Sequence, residues 1–269
     1  KKNNLGFLKL IEISKKITTN VGRTNAQFGL IKENDRIMIG FSGGKDSLTL
    51  LHTLNRMQKK APFKFDFKAV TITYGMGEQI EFLSNHCKEH GIEHEIIDTQ
   101  IFDLAGEKIR KNSSFCSFFS RMRRGYLYTT ALEQGYNKVA LGHHLDDAME
   151  SYFMNLFYNG TMRTMPPIYK ASNGLEVIRP LIFCRERQLR AFADSNEIRV
   201  IGDEACPGLR FDVKMPHARA TTKELLAKLE EQNPKIFVSM KAAFSNIQLP
   251  TFFYKDLKDI KLNIEDETI

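Results

Sequence analysis

The sequence predicts a doubly wound α/β fold: a mostly parallel, five-stranded sheet with N-terminal helices before it and a C-terminal helical extension after it. Three observations predict it. Short apolar runs alternate with segments whose leucines recur at helical spacing, the pattern of βαβ units. A glycine-bearing turn joins the first run directly to a helix, as in sheets that bind ligands at their strand ends. The chain is 269 residues long and 42% hydrophobic, enough for one sizeable core, and it has no internal repeats.

The elements follow in order. Residues 5–30 read as one or two basic amphipathic helices carrying Lys15, Lys16 and Arg23. "DRIMIGF" (35–41) is a buried strand. "SLTLLHTLNRM" (47–57) is a helix with Leu48, Leu51 and Leu54 on one side. "FKAVTITY" (67–74) is a strand, "EQIEFLSNHCKEHG" (78–91) a helix stopped by Gly91, and "EHEIIDT" (93–99) another strand. A helix spans about 114–134, "NKVALGHH" (137–144) is a strand, and a helix covers 146–158. "ASNGLE" (171–176) is a turn, and "VIRPLIF" (177–183) is a strand or connector. Beyond 221, two helices are broken near Pro234. The implied domains are 1–34, 35–220 and 221–269.

Bulk charge narrows the partners. The formal net charge is +7 and the pI about 9.1, a modest excess that suits a polyanion such as nucleic acid. No run of 18 apolar residues exists, which predicts no membrane span, and the first residues hold no signal-peptide core. Four cysteines, at 87, 116, 184 and 206, are too sparse for a disulfide framework and predict a reducing, cytoplasmic setting.

The first chemical motif is "IMIGFSGGKDSLTLL". It sets Ser42, Gly43, Gly44, Lys45, Asp46 and Ser47 between a buried strand and a helix start. Two glycines permit close backbone approach, and the helix presents its positive end to an anion. Two hydroxyls and a lysine exceed what a bare turn needs. The GxxxxGK[ST] spacing of a Walker loop is absent. The second motif, "LGHHLDDAMES", sets Gly142, His143, His144, Asp146 and Asp147 at another strand end, so both motifs face one crevice. Asp146 is the candidate Mg²⁺ ligand, with Glu150 four residues on along the same helix face. Asp146 and Asp147 also suit a helix N-terminus on charge alone. The adjacent His143 and His144 do not point the same way, no HxxxH spacing supports a metal pair, and one of them near a nucleotide is the better reading. The third is "SSFCSFFSRMRRGYLY", where Cys116 lies close to Arg121, Arg123 and Arg124.

SGGKDS resembles the PP-loop of the ATP pyrophosphatase superfamily, whose fold is adenine nucleotide alpha hydrolase-like. "VGRTNAQFGLI", "CSFFSRMRRGYLY", "KVALGHHLDDAMESYFMNLFYNG", "MPP" and "VIRPLIFCRE" narrow the resemblance to the tRNA 2-thiocytidine synthetases, from about residue 20 to about residue 210. The resemblance implies ATP with Mg²⁺ at Ser42–Ser47, Gly142, His143 and Asp147. It implies adenylation of the C2 oxygen of a cytidine, position 32 of tRNA, and replacement of that oxygen by sulfur. Lys45, Asp146, Cys116 and Cys206 become the catalytic set. The implied partners are tRNA, a sulfur donor (a cysteine desulfurase or sulfide) and a second copy of the chain.

The cysteines depart from the family pattern. There, a Cys-x-x-Cys and a third, later cysteine hold a [4Fe–4S] cluster. Here Cys116 and Cys206 match the first and third positions, and Phe119 stands at the second. Three readings stay open: two cysteines that work as persulfide and resolving thiol, activated by the nearby arginines; a cluster with a substitute ligand such as Cys184, Asp203 or Glu204; or a structural Cys116 without sulfur transfer. Two other classes stand beside thiolation, namely a lysidine-type PP-loop ligase and a non-catalytic ATP- or tRNA-binding paralogue.

Overall fold

Ile37, Met38 and Ile39 are wholly buried because their strand, β1 (Arg36–Gly40), is the middle of a sheet covered on both faces. Their side chains alternate. Ile37 and Ile39 enter one core with Leu48, Leu51 and Leu54 of α2 (Lys45–Lys60). Met38 enters the other with Val70 and Ile72 of β2 (Asp66–Ile72) and Val139 of β4 (Lys138–Ala140). A period of two with both phases apolar is what double winding demands. These features come from a computed structural model, which describes residues 10–108, 115–202, 207 and 217–253.

The remaining elements of the first compact unit, Lys1–Ala220, are α1 (Lys15–Phe28), α3 (Glu81–Glu89), β3 (His94–Ile97), α4 (Ile101–Lys108), α5 (Phe115–Glu133), α6 (Leu145–Asn159), β5 (Ile168–Lys170), β6 (Glu176–Ile178) and α7 (Glu186–Ser195). Buried residues of α1, α2, α3 and α7 share the core of one face, and those of α4 and α5 share the other. Ser14 caps α1 by accepting from the Ile17 amide, and Gly29 ends it at φ 60°. α8 (His217–Gln232) starts in this unit and runs into the second, Thr221–Ile269, where α9 (Ile236–Ala243) follows Pro234. Among the described residues, no helix is long and apolar enough to cross a membrane.

Among the described residues the sheet has six strands, in the order β3-β2-β1-β4-β6-β5. Every pairing is parallel except β5 with β6. The sequence reading expects five strands. The turn expected at 171–176 is present and ends one residue earlier, where β6 starts at Glu176; Gly174, at φ 90°, donates its amide hydrogen to the Ala171 carbonyl at 2.9 Å. The strand before the turn, Ile168-Tyr169-Lys170, is too short to show a period, so the hairpin escapes notice. The helices α4 and α7 are also absent from the sequence reading.

Chain order reverses between β1 and β4, so the crevice outside their carboxyl ends is the switch point of the sheet. At the opposite end, the wholly buried Lys138 ties the sheet down. Its Nζ lies 2.7 Å from the Leu30 carbonyl, 2.9 Å from Asp35 and 3.2 Å from Glu176.

Candidate active site

The crevice is floored by the loop from Ser42 to Ser47. Gly43 takes φ 77°, and a Cβ there would stand 2.7 Å from Ile201 Cδ1 and 2.9 Å from Leu83 Cδ2, so only glycine fits. Its carbonyl accepts the Ile201 amide at 2.9 Å, which fastens the loop to the segment after α7. The Ser47 hydroxyl donates to the Gly44 carbonyl at 2.9 Å and accepts from the Ser42 amide and hydroxyl, both at 3.3 Å. The two serines therefore brace the loop ends against each other. Gly44 caps α2 without a side chain, so the first amides of the helix face the crevice uncapped.

Charge at the loop is unevenly satisfied. Lys45 Nζ lies 3.4 Å from Asp46 and 3.2 Å from Glu186. Burial works against its ammonium, but the two carboxylates outweigh burial and raise its pKa. Glu186 comes from α7, which the sequence reading misses. Asp46 is the less settled partner. Its Oδ1 is buried and has no hydrogen-bond partner, and the nearest cationic candidate for that oxygen is His144 Nε2 at 3.8 Å. Burial holds the Asp46 carboxyl above its ordinary range, against the pull of His144 and Lys45. A buried carboxylate oxygen without a donor, beside uncapped helix amides, suits a hard divalent cation that accompanies an anion.

The second turn is pressed onto the first. A Cβ at Gly142 would meet Asp46 C at 3.0 Å and Ser47 N at 3.1 Å, so glycine lets the β4 end lie against the backbone of α2. His144 caps α6: its amide donates to Asp147 Oδ2 at 3.0 Å and its Nδ1 accepts the Asp147 amide at 3.4 Å. His143 Nδ1 accepts from Arg179 Nε at 3.2 Å, which leaves the ring proton on Nε2. Burial, countered in part by Asp147, pushes the His143 pKa down to about 4, so this ring is neutral. Arg179 is itself held by the Pro166 carbonyl at 2.6 Å and stacks 5.2 Å over Tyr169.

The two aspartates are already engaged. Asp146 Oδ1 accepts from Arg185 Nε at 3.1 Å, and Oδ2 accepts from the Glu186 amide at 2.7 Å. Arg185 NH2 completes the clamp at 3.1 Å. The expectation that Asp146 offers an oxygen to Mg²⁺ meets this geometry: both of its oxygens join α6 to α7. Asp147 pairs with Arg219, and Glu150 accepts from the same guanidinium at 2.7 Å. Burial alone would raise the Asp147 pKa, but His144, His143 and Arg219 outweigh it and lower it.

Beside the loop opens a cavity of about 350 Å³, bounded by Ser42, the β2 end at Thr71–Tyr74, Phe82, Arg123 and Ile201. Arg123 stands 5.8 Å from the Tyr74 ring, and Arg199, also lining the cavity, stacks 4.1 Å over Phe82. The sequence places Arg123 in a basic cluster; only packing brings it to the cavity and leaves Arg124 on the exposed side of α5, donating to the Ser120 carbonyl.

The cysteines divide. Cys116 is the second residue of α5, and its side chain, like the whole of Cys206, Asp203 and Glu204, lies outside the described residues. Phe119 is 3% exposed and packs on Tyr74, Phe102 and Phe118 at ring distances of 5.7, 6.4 and 5.6 Å. A hydrocarbon ring in this core offers an iron ion no ligand, so a three-thiolate cage built on positions 116, 119 and 206 does not fit this chain. Cys184 and Cys87 are buried in the core, which pushes both thiols up to about 12. Cys184 packs among the residues of that core.

Comparison with known proteins agrees with this geometry. Residues 13–214 match the PP-loop domain family. A tRNA-cytidine(32) 2-sulfurtransferase of Geobacter metallireducens is 44% identical over 87% of this chain and 90% of its own. The one from Geobacter sulfurreducens is 42% identical over 87% of this chain and 90% of its own. That of Geotalea daltonii is 38% identical over 93% of this chain and all of its own. Among solved structures, the U34-tRNA thiolase NcsA of Methanococcus maripaludis, which has a [4Fe–4S] cluster, superposes with a TM-score of 0.69 over 86% of this chain and 77% of that one, at 23% identity, and so shares the fold. The SGGKDS loop on its uncapped helix, the glycine-packed β4 turn and identity along most of the length assign this chain to the PP-loop family, among the tRNA-cytidine(32) 2-sulfurtransferases.

Proposed function

We propose that this protein is an ATP-dependent tRNA sulfurtransferase that adenylates the C2 oxygen of cytidine 32 and replaces that oxygen with sulfur. One observation carries the reading: a PP-loop with free helix amides opens beside a cavity at the carboxyl end of β2, in a chain 44% identical to a tRNA-cytidine(32) 2-sulfurtransferase. The cavity takes the adenosine, and the α2 amides, Lys45, Ser42 and Ser47 take the phosphates. The cytidine oxygen attacks the α-phosphorus, the bond to the β-phosphate breaks, and pyrophosphate leaves. Lys45 and the loop amides stabilise the charge that grows on the phosphates. Asp46, with its unpartnered oxygen, is the residue suited to hold Mg²⁺, which would neutralise phosphate charge. Asp146 instead positions α7, and with it Glu186 against Lys45. His143 presents an N–H toward the crevice and stays neutral.

Sulfur then displaces AMP at C2. With Phe119 in the second cysteine position, the sulfur is carried by Cys116 and Cys206, one as a persulfide and the other resolving it as a disulfide; no step runs through a cluster. A cysteine desulfurase supplies the sulfur by passing the outer sulfur of its own cysteine persulfide to the receiving thiolate and keeping its thiol. The terminal sulfur attacks C2 and expels AMP, the second thiolate attacks the protein-bound sulfur of the resulting S–S link and releases the thiocytidine, and a thiol reductant reopens the disulfide. The exposed arginines of α5 suit the tRNA backbone.

The test is nucleoside analysis of tRNA incubated with the protein, ATP, Mg²⁺ and a persulfide donor. Wild type yields 2-thiocytidine. Lys45→Ala yields neither thionucleoside nor pyrophosphate; pyrophosphate from that variant refutes the loop assignment. Unchanged modification by a Cys116→Ser, Cys206→Ser double variant would point to amine chemistry of the lysidine type. Anaerobic reconstitution with iron and sulfide is expected to leave no stable cluster, and about four irons per chain would sink the two-cysteine reading.

A further inference from the structure

We propose that His52, His86 and His90 form a divalent-metal site of the zinc class, separate from the nucleotide crevice, that pins α2 to the end of α3. His52 lies on α2 and His86 on α3, and His90 is the residue that ends α3. One ring nitrogen from each lies within 4.8 Å of the other two. Ring centroids are 5.0 Å apart for His52 and His86, 4.9 Å for His52 and His90, and 4.7 Å for His86 and His90. Contrary to the expectation from the sequence, an HxxxH spacing is present, in His86 and His90. It puts two imidazoles on one face of α3, one turn apart. His52 supplies the third from the facing helix and cannot be recognised without the packing.

The chemistry of the group is that of a ligand set. His52 is buried and the other two are half-buried. Nothing acidic is among the three, so their donors are neutral nitrogens, which suit zinc and its neighbours rather than magnesium or calcium. His52 Nε2 and His86 Nε2 are 2.7 Å apart and share one proton between two lone pairs. Three nitrogens at about 2.0–2.1 Å from a tetrahedral ion stand about 3.3 Å from one another. The first pair must open by about 0.6 Å and His90 must move inward for all three to bind one ion. The fourth position faces the half-exposed side, where water can complete the shell. Lys59 and Glu89 are the charged residues facing the group; one opposes an added cation and the other favours it. Phe192 of α7, 6.0 Å from the His52 ring, walls the inner side.

The consequence reaches the loop mechanically. His52 lies seven residues along α2 from Lys45, about 10 Å at 1.5 Å per residue. An ion here fixes the helix whose first turn binds the phosphates, without touching them.

The experiment loads chelator-stripped protein with Zn²⁺ and with Co²⁺, in a Cys116→Ser, Cys206→Ser background so that thiols compete for neither. The expected result is one ion per chain, a Co²⁺ spectrum with visible d–d bands but no thiolate charge-transfer band, and a melting temperature that rises with Zn²⁺. His90→Gln and, separately, His86→Asn are each expected to weaken Zn²⁺ binding about tenfold or more and to abolish the rise, with far-UV circular dichroism unchanged. Failure of the folded background protein to bind Zn²⁺ or Co²⁺ overturns the proposal. So does unaltered affinity in both folded variants.

Discussion

Phe119 stands where the resemblance to the tRNA 2-thiocytidine synthetases implies a cysteine, and what it does in this chain can be measured. Its ring is 3% exposed and makes edge contacts with Tyr74 and Phe118 and a parallel stack on Phe102. Truncation to alanine removes that ring from a close-packed core. Phe→Ala changes at such sites cost about 3–5 kcal/mol. Phe119→Cys retains one heavy atom and should cost roughly 3 kcal/mol on the same scale. For a chain of this size each kcal/mol moves the melting temperature by about 2–4 °C, so the alanine variant should melt roughly 6–20 °C below wild type. Urea unfolding at equilibrium is the direct assay: the midpoint should fall while the slope m stays the same. A loss below about 1 kcal/mol for Phe119→Ala would refute the reasoning. It would mean that the ring is not integral to the core and that the position is free to serve a ligand. A large loss explains why a reversion to cysteine alone would not restore a cluster site: the neighbouring aromatics are packed for a ring.

Three further outcomes are expected. Gly142→Ala forces a methyl to within about 3.0 Å of the α2 backbone; pyrophosphate release should fall about tenfold or more while far-UV circular dichroism is retained, and unchanged kinetics would show that the two loops are not braced together. Lys138→Ala removes the counter-ion of buried Asp35, which keeps only the Lys32 amide and Asn137 as donors, and should cost about 3 kcal/mol in urea unfolding, with kcat of the folded fraction unchanged; a fall in kcat would contradict the placement of this ion pair away from the chemistry. His143 and His94 are both held near a pKa of about 4 by burial, below the ordinary 6.5. The unfolded chain binds protons below pH 6.5 that the folded chain refuses. Stability is therefore complete above pH 6.5 and is lost as pH falls toward 4, with His143 contributing about 2 kcal/mol of loss at pH 5. A urea midpoint that does not move between pH 7 and 5 in wild type would contradict this.

The candidate site was legible in the sequence where chemistry is local. Ser42–Ser47 and the Gly142–Asp147 turn are contiguous motifs, and strand–turn–helix patterning puts both at strand ends. Residues that meet them from elsewhere in the chain lie in a quoted block, VIRPLIFCRE, but that block does not say what they contact. Glu186, Arg185 and Arg179 sit at positions where nothing local announces a partner, yet they contact Lys45, Asp146 and His143. Asp146 shows this: its spacing from Glu150 suggests a shared metal face, and the arginine clamp on its carboxylate arrives from the start of α7. The two nitrogens of the half-buried His94 meet Thr71 of β2 and Ser84 of α3, partners far from it in the chain.

The amino-acid sequence by itself determined the doubly wound sheet, the anion loop, the family and the departure at Phe119, because periodicity and short motifs are local properties of a chain. The tertiary structure alone decided that Phe119 is core, that Asp46 rather than Asp146 keeps an unpartnered oxygen, that β5 adds a sixth strand, and that three histidines from two helices converge. Those facts depend on which distant side chains compete for the same buried space and the same donors, and such competition exists only once the chain is packed.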